Sequence, residues 1–331
     1  MYRTFLIPIA IAATIAAVSA PSADPPIKWA IAVHGGAGVS EALKTEAKAD
    51  LRRQYEDALR AAVSLGGEHL AQGGTALDAV EKVIRAMEDD PLFNAGKGAC
   101  YNFVGKHELD ASIMDGQSLA CGAVAGVRTV KNPISLARLV MTKTKNVLYI
   151  MDGAEEFATR MGVERVDNSY FDTPKEWATY QRWLEKQKKP AADAAKGGGT
   201  VGCLCLDMRG HLAAGTSTGG VTGKPVGRVG DSPIIGAGNF ADDRTCAISC
   251  SGTGEEFIRH GVARTIANLI EFKGYSVQQA GDELMHKTLK PDIGGCIILG
   301  KAGEFACSFN TDGMFRGYAN SNGVVTIGIW K

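Results

Sequence analysis

Glycine punctuates this chain: it fills 41 of the 331 positions, where an ordinary globular protein carries about 7%. Much of it stands where a short alternating apolar stretch ends, so the backbone must turn tightly there or press against another segment. Ile27 to Val33 alternates and runs into His34-Gly35-Gly36-Ala37-Gly38, a strand feeding a glycine loop. Further short strands with glycine punctuation read over Glu108 to Met114 and Gly122 to Thr129. Helices fill the intervals. One is predicted from about Ser40 to Leu65 and another from about Pro133 to Thr144. Between them Thr75 can cap a helix with Asp78 three residues on, and Leu77, Val80, Ile84 and Met87 supply its apolar stripe.

Composition removes several classes of function. With 36 Lys+Arg against 36 Asp+Glu there is no basic surface for nucleic acid or an anionic membrane. With 45% hydrophobic and 22% charged residues the chain buries a real core and is not a disordered protein. Residues 1–20 read as a secretory signal peptide: Met1-Tyr2-Arg3 is a positive start, Phe5 to Val18 is apolar or small, and Ala17, Ser19 and Ala20 resemble a cleavage site. No later segment reaches 18 apolar residues, so the expectation is an exported protein, periplasmic or secreted, with no membrane span. All eight cysteines lie in the mature part, where 105 full pairings are open. Cys203 and Cys205 alternate on one strand face, which allows buried thiols or a bridge. No CxxC pair recurs and no metal site is read from the side chains.

The chemistry concentrates after a predicted linker. Lys175 to Gly199 is charged and Ala/Gly-rich and reads as solvated and mobile. Thr200 to Leu206 then alternates as a strand, Asp207-Met208-Arg209-Gly210 has turn composition, and His211 to Ser217 returns. A turn centred between Met208 and Arg209 places Thr200 opposite Ser217 and beside Thr218. A second junction, Ala247 to Glu255, passes from strand through glycine to a helix with Phe257, Ile258, Val262 and Ile266 on its buried side. Free backbone N–H groups at that helix start favour negative charge, a candidate oxyanion site. In Gly227-Arg228-Val229-Gly230-Asp231 an arginine and an aspartate stand together, either as a local ion pair in a loop or as the pair that holds an amino acid's carboxylate and ammonium at once. The six histidines show no catalytic spacing and read as structural or surface residues.

The combination resembles the plant-type asparaginase and isoaspartyl peptidase family, which belongs with glycosylasparaginase among the N-terminal-nucleophile hydrolases. The resemblance rests on Ala32 to Gly38, Asp90-Pro91-Leu92-Phe93-Asn94-Ala95-Gly96-Lys97-Gly98, Glu108 to Gly116, Gly199-Thr200-Val201-Gly202, Ser217-Thr218-Gly219-Gly220, Gly227 to Pro233, Ser251 to Gly254 and Asn310 to Met314, in that order. The early His-Gly-Gly-Ala-Gly resembles the isoaspartyl peptidase branch. Glycosylasparaginases usually carry Asp before the nucleophile, where this chain has Gly199.

That resemblance implies an α+β fold, a four-layer αββα sandwich, made as an inactive precursor. Self-cleavage between Gly199 and Thr200 yields an α subunit, 21–199, and a β subunit, 200–331, with Thr200 as nucleophile and its own α-amine as base. Thr218 orients Thr200; Ser251 Oγ and the Gly252 N–H hold the oxyanion. Arg228 takes the substrate's α-carboxylate and Asp231 its α-ammonium, with Val229, Gly230, Thr253 and Gly254 completing the substrate loops and Asn94 supporting the site. The family usually has Thr where this chain has Ser251. The implied substrates are small molecules, β-aspartyl dipeptides and L-asparagine. Rival readings are a glycosylasparaginase acting on aspartyl-glucosamine and an amino-acid-binding protein on an inactivated scaffold. No cofactor is required, although backbone carbonyls around 87–97 could hold a structural sodium or potassium ion. The implied assembly is a dimer of α/β heterodimers.

Overall fold

The computed structural model describes residues 25–188 and 199–330; the expected signal peptide and residues 189–198 of the expected linker lie outside them. The order begins with β1 (Ala30–Ala37), α1 (Ala49–Ala71), α2 (Ala76–Glu88), β2 (Leu109–Asp115), β3 (Cys121–Val127), α3 (Pro133–Lys143), β4 (Leu148–Ile150), α4 (Met151–Met161) and α5 (Pro174–Gln187). It continues with β5 (Val201–Leu206), β6 (Leu212–Thr218), β7 (Asn239–Ala241), β8 (Cys246–Gly252), α6 (Gly254–His260), α7 (Val262–Lys273) and α8 (Val277–Asp282). Four strands close the chain: β9 (Gly294–Gly300), β10 (Phe305–Phe309), β11 (Gly313–Asn320) and β12 (Val325–Trp330).

Two sheets stack face to face. One has the order β12-β11-β1-β5-β6-β2-β3-β4 and the other β10-β9-β8-β7. Strands from both sides of the Gly199–Thr200 bond interleave in the larger sheet: β5 lies between β1 and β6, and β6 pairs with β2. α1, α2 and α3 cover its outer face, while α7 and α8 cover the smaller sheet. Strand alternation divides the core accordingly. Val33, Cys203 and Cys205 pack with Leu59, Val80 and Ile84 in the helix-side cluster, whereas Ala32, Leu204 and Leu206 join Phe240, Ile248 and Ile298 in the second. Sequential helix, sheet, sheet and helix layers make this an α+β, four-layer αββα sandwich. All eight cysteines are free thiols, Cys203 and Cys205 with sulfurs 3.7 Å apart.

The structure corrects several boundaries read from the sequence. Ser40 begins a 3-10 turn, and the long helix starts only at Ala49 and continues to Ala71. The predicted linker from Lys175 is helical through Gln187: Thr173 caps α5 by accepting from the Glu176 N–H, and Tyr180 and Trp183 bury one face against Tyr101. A three-residue apolar spacing thus outweighs the charged remainder. The hairpin register is offset by one, because Asp207 and His211 pair around a turn that ends in left-handed Gly210. Val201 faces Ser217, so Thr200 stands opposite Thr218 itself. The helix after Gly254 breaks at Gly261 into α6 and α7, which leaves Ile258 exposed while Phe257, Val262 and Ile266 are buried.

Candidate active site

Thr200 immediately precedes a central strand, buried between β1 and β6. Its hydroxyl donates to Thr218 Oγ1 at 3.3 Å. Thr218 Oγ1 also accepts the Gly220 N–H at 3.0 Å and donates its own proton to the Gly199 carbonyl at 3.2 Å. Asn94 Nδ2 donates to the same Gly199 oxygen at 2.6 Å and to Gly220 O at 2.7 Å, while its Oδ1 accepts the Cys100 N–H at 2.8 Å. Two donors therefore converge on the carbonyl carried by the residue before Thr200, where negative charge develops if a hydroxyl attacks that carbon. Asn94 is spent entirely on main chain.

β1 delivers backbone to the same point. It bulges between His34 and Gly36, and Gly36 has φ +110. A Cβ there would lie 2.6 Å from Gly199 Cα and 3.0 Å from the Thr200 nitrogen, so this position must be glycine for the two segments to meet. Just beyond, the Ala37 N–H donates to Ser251 Oγ at 3.0 Å. That contact holds the Ser251 oxygen and leaves its proton free. Gly252 ends β8 and Thr253 precedes α6, so the Ser251–Gly254 turn opens onto a helix start.

The loop carrying Arg228 and Asp231 is tied to that helix. Arg228 Nε and Nη2 each donate at 2.9 Å to the Glu255 carboxylate, which holds Glu255 below the usual carboxylate range. The guanidinium thus presents its Nη1 side, close to Gly230, where a Cβ would come within 2.9 Å. Asp231 is buried directly under Gly254; burial pushes its pKa up to about 7, and one carboxylate oxygen has no partner among the described residues. Such a group is poised to receive a cation. Val229 and Gly230 bridge the two charged residues. Behind them Glu108 accepts the Gly227 N–H, and the wholly buried Lys224 ammonium donates to Glu108 O at 2.8 Å.

The sequence assigns no role to three of these residues: Glu108 stands in it only as the start of a strand, Glu255 only as the end of the strand-to-helix junction, and Lys224 carries no pattern. His34 was placed among the structural histidines, yet its Nδ1 lies 3.0 Å from the Thr200 carbonyl. The signals in the sequence are its place beside the glycine loop and within the Ala32 to Gly38 segment. No group of three or more His, Cys, Asp or Glu side chains among the described residues is arranged to hold a metal ion, and no described helix is long and apolar enough to cross a membrane.

Paired sheets between helical layers, with a threonine opening a central strand, are the architecture of N-terminal-nucleophile hydrolases. Residues 27–329 match the family model described as "Asparaginase", and the chain belongs to that family. It is 42% identical to an isoaspartyl peptidase of Escherichia coli over 315 residues, which cover 92% of this chain and 97% of the relative. An isoaspartyl peptidase/L-asparaginase of Xenopus laevis is 40% identical over 87% of this chain and 91% of its own length. The human isoaspartyl peptidase/L-asparaginase is likewise 40% identical, over 86% and 91%.

Proposed function

We propose that this protein is a self-processing threonine hydrolase that cleaves β-aspartyl dipeptides and L-asparagine. The observation that carries the reading is the Gly199 carbonyl, held by Asn94 and Thr218 with the Thr200 hydroxyl on the same Thr218 oxygen. In processing, Thr200 Oγ attacks the Gly199 carbonyl carbon and the bond to the Thr200 nitrogen breaks. An ester on Oγ and a free amine result. Water then hydrolyses the ester, releasing the Gly199 carboxylate and regenerating the hydroxyl. Asn94 Nδ2 and Thr218 Oγ1 stabilise the oxyanion of the first step.

In turnover the new α-amine, with an ordinary pKa of about 7.7–8.0, takes the proton from Oγ as it attacks the substrate's β-amide carbon. The leaving amine departs with that proton, and water hydrolyses the β-aspartyl ester. Nη1 of Arg228 receives the α-carboxylate and the Asp231 carboxylate the α-ammonium, while Ser251 Oγ–H and the Gly252 N–H face the developing charge. Thr253 and Gly254 shape the floor of the pocket.

Export through an N-terminal signal and pairing of two cut protomers belong to the same proposal. So does a sodium or potassium ion at the 87–97 turn. In its support, two carbonyl oxygens of this turn, those of Pro91 and Phe93, both lie against Gly98. Bound there, the ion would stiffen the turn that carries Asn94.

Replacing Thr200 with Ala should leave an uncut chain without activity on a β-aspartyl dipeptide. Intact-mass analysis and a ninhydrin assay read both. A processed, active Thr200→Ala protein would overturn the assignment.

A further inference from the structure

A chain of buried hydrogen bonds reaches Thr200 from the side away from Asn94 and Thr218. His34 Nδ1 lies 3.0 Å from the Thr200 carbonyl, His34 Nε2 lies 2.8 Å from Ser249 Oγ, and Ser249 Oγ lies 2.7 Å from Thr216 Oγ1. All three side chains are wholly buried. Their protons can be assigned by elimination. A carbonyl only accepts, so Nδ1 carries the hydrogen. A neutral imidazole then accepts at Nε2, so Ser249 donates to it. With its only proton spent, Ser249 must accept from Thr216, whose hydroxyl therefore does not serve its other neighbour, Gly238 O at 3.4 Å. Burial drives the His34 pKa down to about 3, in keeping with a neutral ring throughout the working range.

The chain also links both sheets. His34 and Thr216 lie on β1 and β6 of the larger sheet, Thr200 stands directly before β5 between them, and Ser249 belongs to β8 of the smaller sheet. Ser251, two residues on, is held to the same β1 strand through the Ala37 N–H. Serines on one face of β8 are thus pinned twice to β1, once beside the nucleophile and once at the oxyanion turn. Gly202 makes room for this: a Cβ there would lie 2.1 Å from Ser249 Oγ and 2.2 Å from His34 Nε2.

We infer that Thr216, Ser249 and His34 form a positioning relay that fixes one histidine tautomer and, through the Thr200 carbonyl, sets the orientation of the nucleophile relative to the Ser251 turn. The inference rests on the assignment of Thr200 above. None of the three residues touches substrate. The relay sets geometry for both self-cleavage and turnover, and its loss costs rate rather than substrate affinity.

The test uses full-length protein carrying Thr216→Val, Thr216→Ser or Ser249→Ala, beside wild type and Thr200→Ala. Valine keeps the shape of Thr216 and removes its donor; serine restores the donor. The relay predicts that Thr216→Val and Ser249→Ala each slow self-cleavage and lower kcat by about tenfold, the equivalent of one buried hydrogen bond, with KM little changed. Thr216→Ser should recover wild-type rates. ¹⁵N NMR of the wild type should show His34 as the Nδ1–H tautomer, and that signal should shift in Ser249→Ala. Wild-type rates in Thr216→Val and Ser249→Ala, or an Nε2–H tautomer in the wild type, would overturn the relay while an inert Thr200→Ala left the nucleophile assignment standing. If Ser249→Ala does not fold, the Val and Ser pair at Thr216 and the wild-type tautomer decide the matter.

Discussion

In the proposed reaction Asp231 joins recognition to pH. Its carboxylate binds an ammonium only when ionised, and burial places its pKa at about 7, so the competent fraction of free protein falls as pH drops through that value. Substrate binding supplies the missing positive partner and lowers the pKa in the complex. The acid limb near pH 7 should therefore be pronounced in kcat/KM, which reports the free enzyme, and weaker in kcat. Steady-state profiles from pH 5 to 9 on L-asparagine check this; an equal limb in both would assign it to the Thr200 amine instead. In the proposed reaction Arg228 serves binding alone. Its removal takes away a charged hydrogen bond of about 1.5–3 kcal/mol, so Arg228→Ala should raise KM roughly 10- to 100-fold while self-cleavage proceeds. Failure of both together would make Arg228 a folding residue.

At the scale of elements, much of the frame could be read along the chain because it depends on local periodicity. The cap at Thr75 and the stripe on α2 are spaced within a few residues, and Thr75 does accept the Asp78 N–H at 3.0 Å. The β5–β6 hairpin was legible too, although its register turned on one residue of turn length and on Gly210. What could not be read from spacing was contact between distant segments. Asn94 meets Gly199 across 105 residues and His34 meets Ser249 across 215, with no periodicity connecting them. Residues matched by family resemblance were located despite that; Glu255, Ser249 and Lys224, for which no role was inferred, were not. The β1 bulge supplies the prediction at this scale. Gly36→Ala places a methyl against Gly199 at a positive φ, and the resulting strain should slow self-cleavage roughly tenfold with the fold retained. Mass spectrometry over a time course, with circular dichroism as control, measures it; unaltered processing would show that β1 yields easily there.

For the whole molecule, the order β1-β5-β6-β2 decides what a cut at Gly199 does. Strands of the two pieces are interleaved in one sheet, with β1 between β11 and β5 and β6 against β2, so neither owns a complete core, and the two should co-elute on gel filtration until denatured. Their covalent history then matters. An uncut Thr200→Ala chain keeps its segments at high mutual concentration and should regain its circular dichroism on dilution from guanidinium. A cut protein at micromolar concentration must find its partner in solution, while each piece exposes unpaired strand edges. It should recover poorly and aggregate. Comparable recovery by the two would show that the pieces carry enough structure to reassemble. On the proposed cut, maturation discards the tether that guided folding, and the working lifetime of the mature protein would be governed by how slowly it first opens, a kinetic persistence rather than a reversible equilibrium.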